Sequence, residues 1–352
     1  MGHRQQPGDR RRIHIIINLM KAFIKGISCY LPEKILTNED LLKDFPEWSV
    51  DKVASKIGIT QRHIAGENET AADMAVAAAE ILFSEYNFDR SKIDFILLCT
   101  QSPDYFLPAT ACIIQERLGL STEAGALDFN QGCSGFVYGL SLAKGLIMSG
   151  TSRNVLLITS ETYSKHIHPR DKSNRTIFGD AAAATLISGD GFAEILGFSL
   201  GTDGRGAKNL IVKTGGMRNR DMKNDLVSDE GGNPVCSDNL YMNGTEILSF
   251  TLETVPLLVE KTLAVNNMNQ EEIDLFVFHQ ANRYMMEFLR KKLKVEPAKF
   301  YYFMEKTGNT VSSTIPIALK AAMQNADITP GRKVMLAGFG VGYSWGGNIL
   351  RF

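Results

Sequence analysis

Three side chains far apart in the chain have types suited to one piece of chemistry: Cys133, His279 and Asn309. Cys133 lies in GALDFNQGCSGFVYGLSLAKGLIM, where a short β-rich run gives way to glycines and then to a helix-like series. A cysteine at such a strand–turn–helix junction meets first-turn amides and the positive end of a helix dipole, which favour a thiolate. Gly132, Ser134 and Gly135 leave room for the backbone to bend and a substrate to approach. His279 ends the apolar run IDLFVF and is followed by QAN, at the carboxyl end of a strand, where α/β active sites gather. Asn309 occupies a glycine turn, KTGNTVSS, ahead of another helix-like run. Singly, each has a plainer reading: a small buried hydrophobe, a structural histidine, a cap or turn residue.

Together they suggest a thioester acceptor beside two hydrogen-bond donors. A condensation begun by removing a proton from carbon would need a Cys, Glu or Asp in place of Asn309, because an amide takes up no proton. Two donors suit instead a thioester oxygen becoming an enolate as carbon dioxide departs, so decarboxylation replaces the base. The tail GFGVGYSWGGNILRF adds a glycine-rich loop whose amides, with that of Cys133, would form an oxyanion hole. A tight hairpin explains the same glycines.

The elements that must carry these residues alternate between β-rich and helical runs from Phe23 onward, the grammar of an α/β protein with mixed layered sheets. An internal repeat is visible. SKIDFILLCTQ at 91–101 resembles EEIDLFVFHQ at 271–280, offset by 180 positions, and SRNVLLIT at 152–159 resembles GRKVMLAG at 331–338 at nearly that offset. Two similar halves, 20–192 with the cysteine and 193–352 with His279 and Asn309, fit this spacing. Residues 201–240 are rich in glycine, asparagine and charge, and read as a long surface excursion. Residues 1–19 are basic and then briefly apolar, without a small-residue cleavage site, and read as a disordered or non-native extension before a more natural start at Met20.

Composition excludes other classes. Over 352 residues, charge nearly cancels to −1 and no basic stripe interleaves with aromatics, so nucleic acid is not an expected partner. The apolar runs fall well short of the roughly 20 residues a membrane helix needs. Five cysteines, with no C-x-x-C pair and no metal-ligand spacing, point to a reducing, cytoplasmic setting and to no metal.

The pieces GISCYLPEKILTNEDL, KIGITQRHIAGENETAADMA, GCSGFVYGL, FGDAAAATL, HQAN, GNTVSSTIP and GFGVGYSWGG, spanning Phe23 to Phe352, resemble β-ketoacyl-acyl-carrier-protein synthase III. The resemblance implies a thiolase fold, two pseudo-repeated halves in a layered αβαβα arrangement, and a homodimer. It implies a ping-pong acyltransferase, initiating fatty-acid biosynthesis, without a tightly bound cofactor: acyl-CoA loads Cys133, then malonyl-acyl carrier protein or malonyl-CoA is decarboxylated and condensed. His279 and Asn309 would be the donor pair, and Val341, which interrupts a glycine run, would supply the second oxyanion-hole amide. Phe178 and Phe339 would border the acyl site, Asn282 the phosphopantetheine tunnel and Gly244 its mouth. Trp48 resembles a tryptophan stacked on the CoA adenine. Lys56 replaces an arginine near a CoA phosphate, with Lys172 or Arg175 as another phosphate contact. Leu107, beside Phe106, stands where an aromatic closes the acyl pocket across the dimer, and Tyr284 replaces a carrier-docking arginine. These departures are compatible with a divergent condensing enzyme or acyltransferase making a resorcinol, quinolone or ester; a third reading is an inactive carrier-protein-binding scaffold.

Overall fold

The computed structural model describes residues 21–45, 49, 56–229 and 232–352; the N-terminal extension and Trp48 lie outside the described residues. Nine strands form the main sheet: β1 (Phe23–Tyr30), β2 (Phe95–Cys99), β3 (Gly125–Phe129), β4 (Asn154–Glu161), β5 (Ala181–Ser188), β6 (Ala193–Thr202), β7 (Leu275–Phe278), β8 (Lys333–Gly340) and β9 (Ser344–Arg351). Their spatial order is β7-β8-β9-β6-β1-β5-β4-β2-β3. In the first half β3, β2 and β4 run parallel, with β5 and then β1 added antiparallel. The second half repeats the pattern: β7 parallel to β8, then β9 and β6 antiparallel, with Phe300 bridging in parallel to Phe276 in the place of β3. The halves meet where β1 pairs with β6 at Phe23–Glu194 and Ile24–Ala193.

Six helices complete the layers: α1 (Ala71–Glu85), α2 (Thr110–Arg117), α3 (Gly135–Met148), α4 (Gly244–Val265), α5 (Arg283–Lys292) and α6 (Thr314–Gln324). α1 starts where Thr70 and Asp73 cap each other's backbone amides, and its alanine-rich face is buried on the first half-sheet with α2. α4 and α5, capped by Asn243 and Asn282, pack on the second half-sheet. Between the half-sheets lie α3 and α6, whose Phe136, Leu140, Ile147, Ile315 and Leu319 share one core with Ile27 and Leu157 of one half and Val277 and Leu336 of the other. Glycine permits the close fit: a Cβ on Gly135 would lie 2.2 Å from the Cys99 sulfur. The result is five alternating layers, with both central helices pointing their N-termini toward the carboxyl ends of the parallel strands.

The stretch 201–240 is less irregular than its composition suggests. β6 runs on to Thr202, Leu210–Ile211 pairs with Tyr241–Met242, and Val227–Ser228 pairs with Pro234–Val235. Short ladders need only two residues, too few to leave a period in the sequence.

Candidate active site

A cavity of about 150 Å³ is lined by Cys133, His279 and Asn309 together with Phe178, Phe339, Asn282 and Gly244. Cys133 precedes α3, whose first turn no side chain caps. The turn is fixed by a 2.6 Å bond between the Ser134 and Ser344 hydroxyls. β8 and β9 close against it through the three residues Val341–Tyr343, so the glycine-rich tail is both a tight hairpin and a wall of the nucleophile's site. A Cβ on Gly340 would stand 2.9 Å from both Cβ and Sγ of Cys133, so glycine here is required by close approach. The backbone amides of Cys133 and Val341 both reach the thiol.

Burial, with the Glu161 carboxyl adding to it, pushes the Cys133 thiol up to about 12 against those two amides. The thiolate expected from a strand–turn–helix junction is therefore not the resting state, because desolvation outweighs the dipole once the residue is buried. A thiol used here as a nucleophile would have to lose its proton as it attacks.

His279 follows β7, its amide held 2.8 Å from the Ala337 carbonyl of β8. Burial lowers its imidazole to about 3, so it is neutral at physiological pH. Nδ1 stands 2.7 Å from the hydroxyl of Thr314, the first residue of α6. That hydroxyl also lies 3.1 Å from the Val311 carbonyl and has one proton for the two. Donated to that carbonyl, it leaves Oγ1 to accept Nδ1–H; turned onto Nδ1, it leaves the imidazole proton on Nε2, the form in which Nε2 can donate.

Asn309 is oriented without ambiguity. Its Oδ1 accepts the Val311 amide at 2.9 Å, which turns the NH2 group away from that contact and leaves it to donate. Val311 adopts a left-handed backbone at φ 55°, a costly conformation for a β-branched residue, concentrated at this turn. The turn is stitched to the Phe178 loop: the Asn309 amide donates to the Ile177 carbonyl at 2.9 Å, and the Gly179 amide to the Asn309 carbonyl at 3.1 Å.

The remaining expected residues are distributed differently. Asn282 lines the cavity while its side-chain oxygen caps α5 at the Met285 amide, 2.9 Å away. A Cβ on Gly244 would meet nothing, so no backbone constraint demands glycine there. Arg175 lies outside this cavity. Its guanidinium is paired with Asp44 at 2.9 Å and lies over the Phe45 ring, so its charge is already engaged. Lys56 is exposed and outside the cavity. Leu107 is 80% exposed, with Phe106 at 77% and Tyr105 at 63%, an apolar tip that does not line this cavity. Two participants escaped the sequence reading: Thr314, signalled only by a hydroxyl at a helix start, and Glu161, a carboxyl at the end of an apolar strand.

Residues 127–204 match the family model of 3-oxoacyl-[acyl-carrier-protein] synthase III, and residues 263–352 match that of its C-terminal part. A β-ketoacyl-[acyl-carrier-protein] synthase III of Caldanaerobacter subterraneus is 35% identical over 335 residues, covering 94% of this chain and 98% of that protein. A 3-oxoacyl-(acyl-carrier-protein) synthase III crystal structure superimposes with a TM-score of 0.92 at 48% identity, covering 94% of this chain and 100% of the other. The corresponding synthase from Burkholderia xenovorans gives 0.86 at 34% identity, with 94% of each chain covered.

Proposed function

The chain belongs to the β-ketoacyl-acyl-carrier-protein synthase III family, a family of condensing acyltransferases, and we propose that Cys133, His279 and Asn309 are its catalytic residues. The observation that carries this reading is their convergence on one cavity from three separate loops. In the first half-reaction Cys133 Sγ attacks the carbonyl of an acyl-CoA. The sulfur–acyl bond forms, the thioester bond to CoA breaks, and the Cys133 proton leaves on the CoA thiol. The amides of Cys133 and Val341 stabilise the carbonyl oxygen as it gains charge, since each already reaches the sulfur.

In the second half-reaction a malonyl thioester, on acyl carrier protein or CoA, enters along the wall formed by Phe178, Asn282 and Gly244. Its carboxylate departs as carbon dioxide, leaving an electron pair on the α-carbon and a developing charge on the thioester oxygen. His279 Nε2–H and the Asn309 NH2 group donate to that oxygen, and the carbanion attacks the acyl group on Cys133. The bond between the acyl carbon and Cys133 Sγ breaks, a 3-oxoacyl thioester leaves, and the sulfur, released as thiolate, takes a proton from water. Thr314 acts through His279: only when the Thr314 hydroxyl donates to Nδ1 is Nε2 a donor. Neither half-reaction draws on a metal or a resident cofactor.

The exposed apolar tip Tyr105–Leu107 supports a homodimer, with Leu107 closing the partner's acyl pocket. Among the described residues no helix is long and apolar enough to cross a membrane. The chemistry is tested by carbon dioxide release from malonyl thioesters by the acylated protein. His279→Ala and Asn309→Ala should each lower that release by about 10²–10³ while Cys133 still loads. Undiminished release in both would contradict the assignment.

A further inference from the structure

The two halves place their chemistry at corresponding points, and the second set of those points is occupied. β4 ends at Glu161 where β8 ends at Gly340; α3 starts at Gly135 where α6 starts at Thr314. Cys133 therefore corresponds to Ser312, Asn309 to Asn130, and His279, which follows β7, to Cys99 at the end of β2. In the working half the missing side chain of Gly340 leaves the space that Cys133 fills. In its twin a fully buried carboxyl stands at that point: Glu161 Oε1 lies 2.8 Å from Ser312 Oγ.

The twin is wired into both catalytic turns. Glu161 Oε2 accepts the Gln101 amide at 2.9 Å, and Gln101 Nε2 donates to Asn130 Oδ1 at 3.0 Å. Ser312, three residues after Asn309, reaches Cys99, whose thiol donates to the Gln131 carbonyl at 2.9 Å, two residues before Cys133. To an ionised carboxylate Ser312 donates; a neutral carboxyl reverses that bond, and the chain then runs Glu161 O–H to Ser312, Ser312 O–H to Cys99, Cys99 S–H to Gln131.

We propose that Glu161 is a positioning residue, the plug of a duplicated half-site, whose buried carboxyl locks the Asn309 turn to the Cys133 turn. This rests on the condensing reading of Cys133. Ionisation would remove the proton that starts the chain and place a negative charge beside the sulfur, opposing attack twice over. The groups facing Glu161 are Gln101 and Ser102 beyond β2, Cys99 at its end, Cys133, Tyr163, Ser312 and Asp180, with His166 one contact further through Ser102. Burial, with Asp180 adding to it, pushes the carboxyl up to about 8, so the neutral form predominates below that pH.

The test is the rate of Cys133 acylation by acyl-CoA, read by intact mass from pH 6.5 to 9.5, in wild type, Glu161→Gln and Glu161→Ala. Glutamine donates and accepts as the neutral acid does but carries no titrating proton. The expected result is a wild-type rate that levels off or falls above about pH 8, while Glu161→Gln keeps climbing. At pH 7 Glu161→Ala should lose about tenfold or more, and Glu161→Gln far less. Superimposed profiles for wild type and Glu161→Gln overturn the proposal, as does an alanine variant loading at the wild-type rate. A wild-type protein that never loads fails at the condensing reading instead.

Discussion

At the scale of residues, the site divides labour by what each side chain can hold. In the proposed reaction Cys133 offers a sulfur whose proton burial retains until attack, and His279 and Asn309 offer two protons that they do not release. Thr314 is the most informative of the supporting side chains, because its hydroxyl decides which imidazole nitrogen donates. Thr314→Val should lower carbon dioxide release from malonyl thioesters by about tenfold or more while leaving Cys133 loading much less affected, and Thr314→Ser should restore most of the loss. Equal losses in both half-reactions, unrelieved by serine, would reduce Thr314 to a packing role. The meeting of Cys133, His279 and Asn309 at one cavity was legible in the sequence because each follows a β-run or opens a helix in a glycine-punctuated turn. Thr314 and Glu161 were not, because their significance arises from contacts 35 residues away in one case and 151 in the other. Arg175 shows the converse: a plausible phosphate ligand by position, it is committed to Asp44, 131 residues away.

At the scale of elements, the hairpin between β8 and β9 and the turn before α3 are one unit. Gly340→Ala would put a methyl carbon 2.9 Å from the Cys133 sulfur, and backbone must move to relieve it. The expected outcome is loss of acylation by about 100-fold or more with the thermal midpoint changed by only a few degrees, measured by loading kinetics and calorimetry. Retained loading would mean the hairpin yields where the packing says it cannot. The strands and their repeat were readable because the apolar runs are strong and recur at one spacing. The ladders of the 201–240 excursion were not, since Val227–Ser228 against Pro234–Val235 is too short to carry a signal. The resting thiol was not legible for a related reason: the amides that favour a thiolate are visible in sequence and do lower the pKa, but the burial that outweighs them is a property of five packed layers.

At the scale of the whole molecule, two buried groups tilt stability with pH in opposite directions. His279 is depressed in the fold from 6.5 to about 3, so the unfolded chain binds more protons between those values and stability falls as pH drops through that window. Glu161 is raised from 4.5 to about 8, so the folded chain binds more protons there and stability falls as pH rises toward 8. The thermal midpoint should therefore be highest in mildly acidic solution, and Glu161→Gln should flatten the decline from about pH 6 to 8; an unchanged slope would show that the carboxyl ionises freely. The layered architecture was predicted from alternating elements and from the family resemblance, and the near-complete superposition on a 3-oxoacyl-(acyl-carrier-protein) synthase III gives that fold. The proposed dimer has its own reading. Replacing Phe106 and Leu107, 77% and 80% exposed, by serine should halve the mass seen by light scattering if that tip sits in a partner; an unchanged mass would place the interface elsewhere.

The most direct measurement is the intact mass of the wild type and Cys133→Ala after incubation with acyl-CoA. The account predicts an increment of one acyl group on the wild type, none on Cys133→Ala, and discharge of that increment when a malonyl thioester is added. An increment that persists in Cys133→Ala, or a wild type that never gains one, would contradict it.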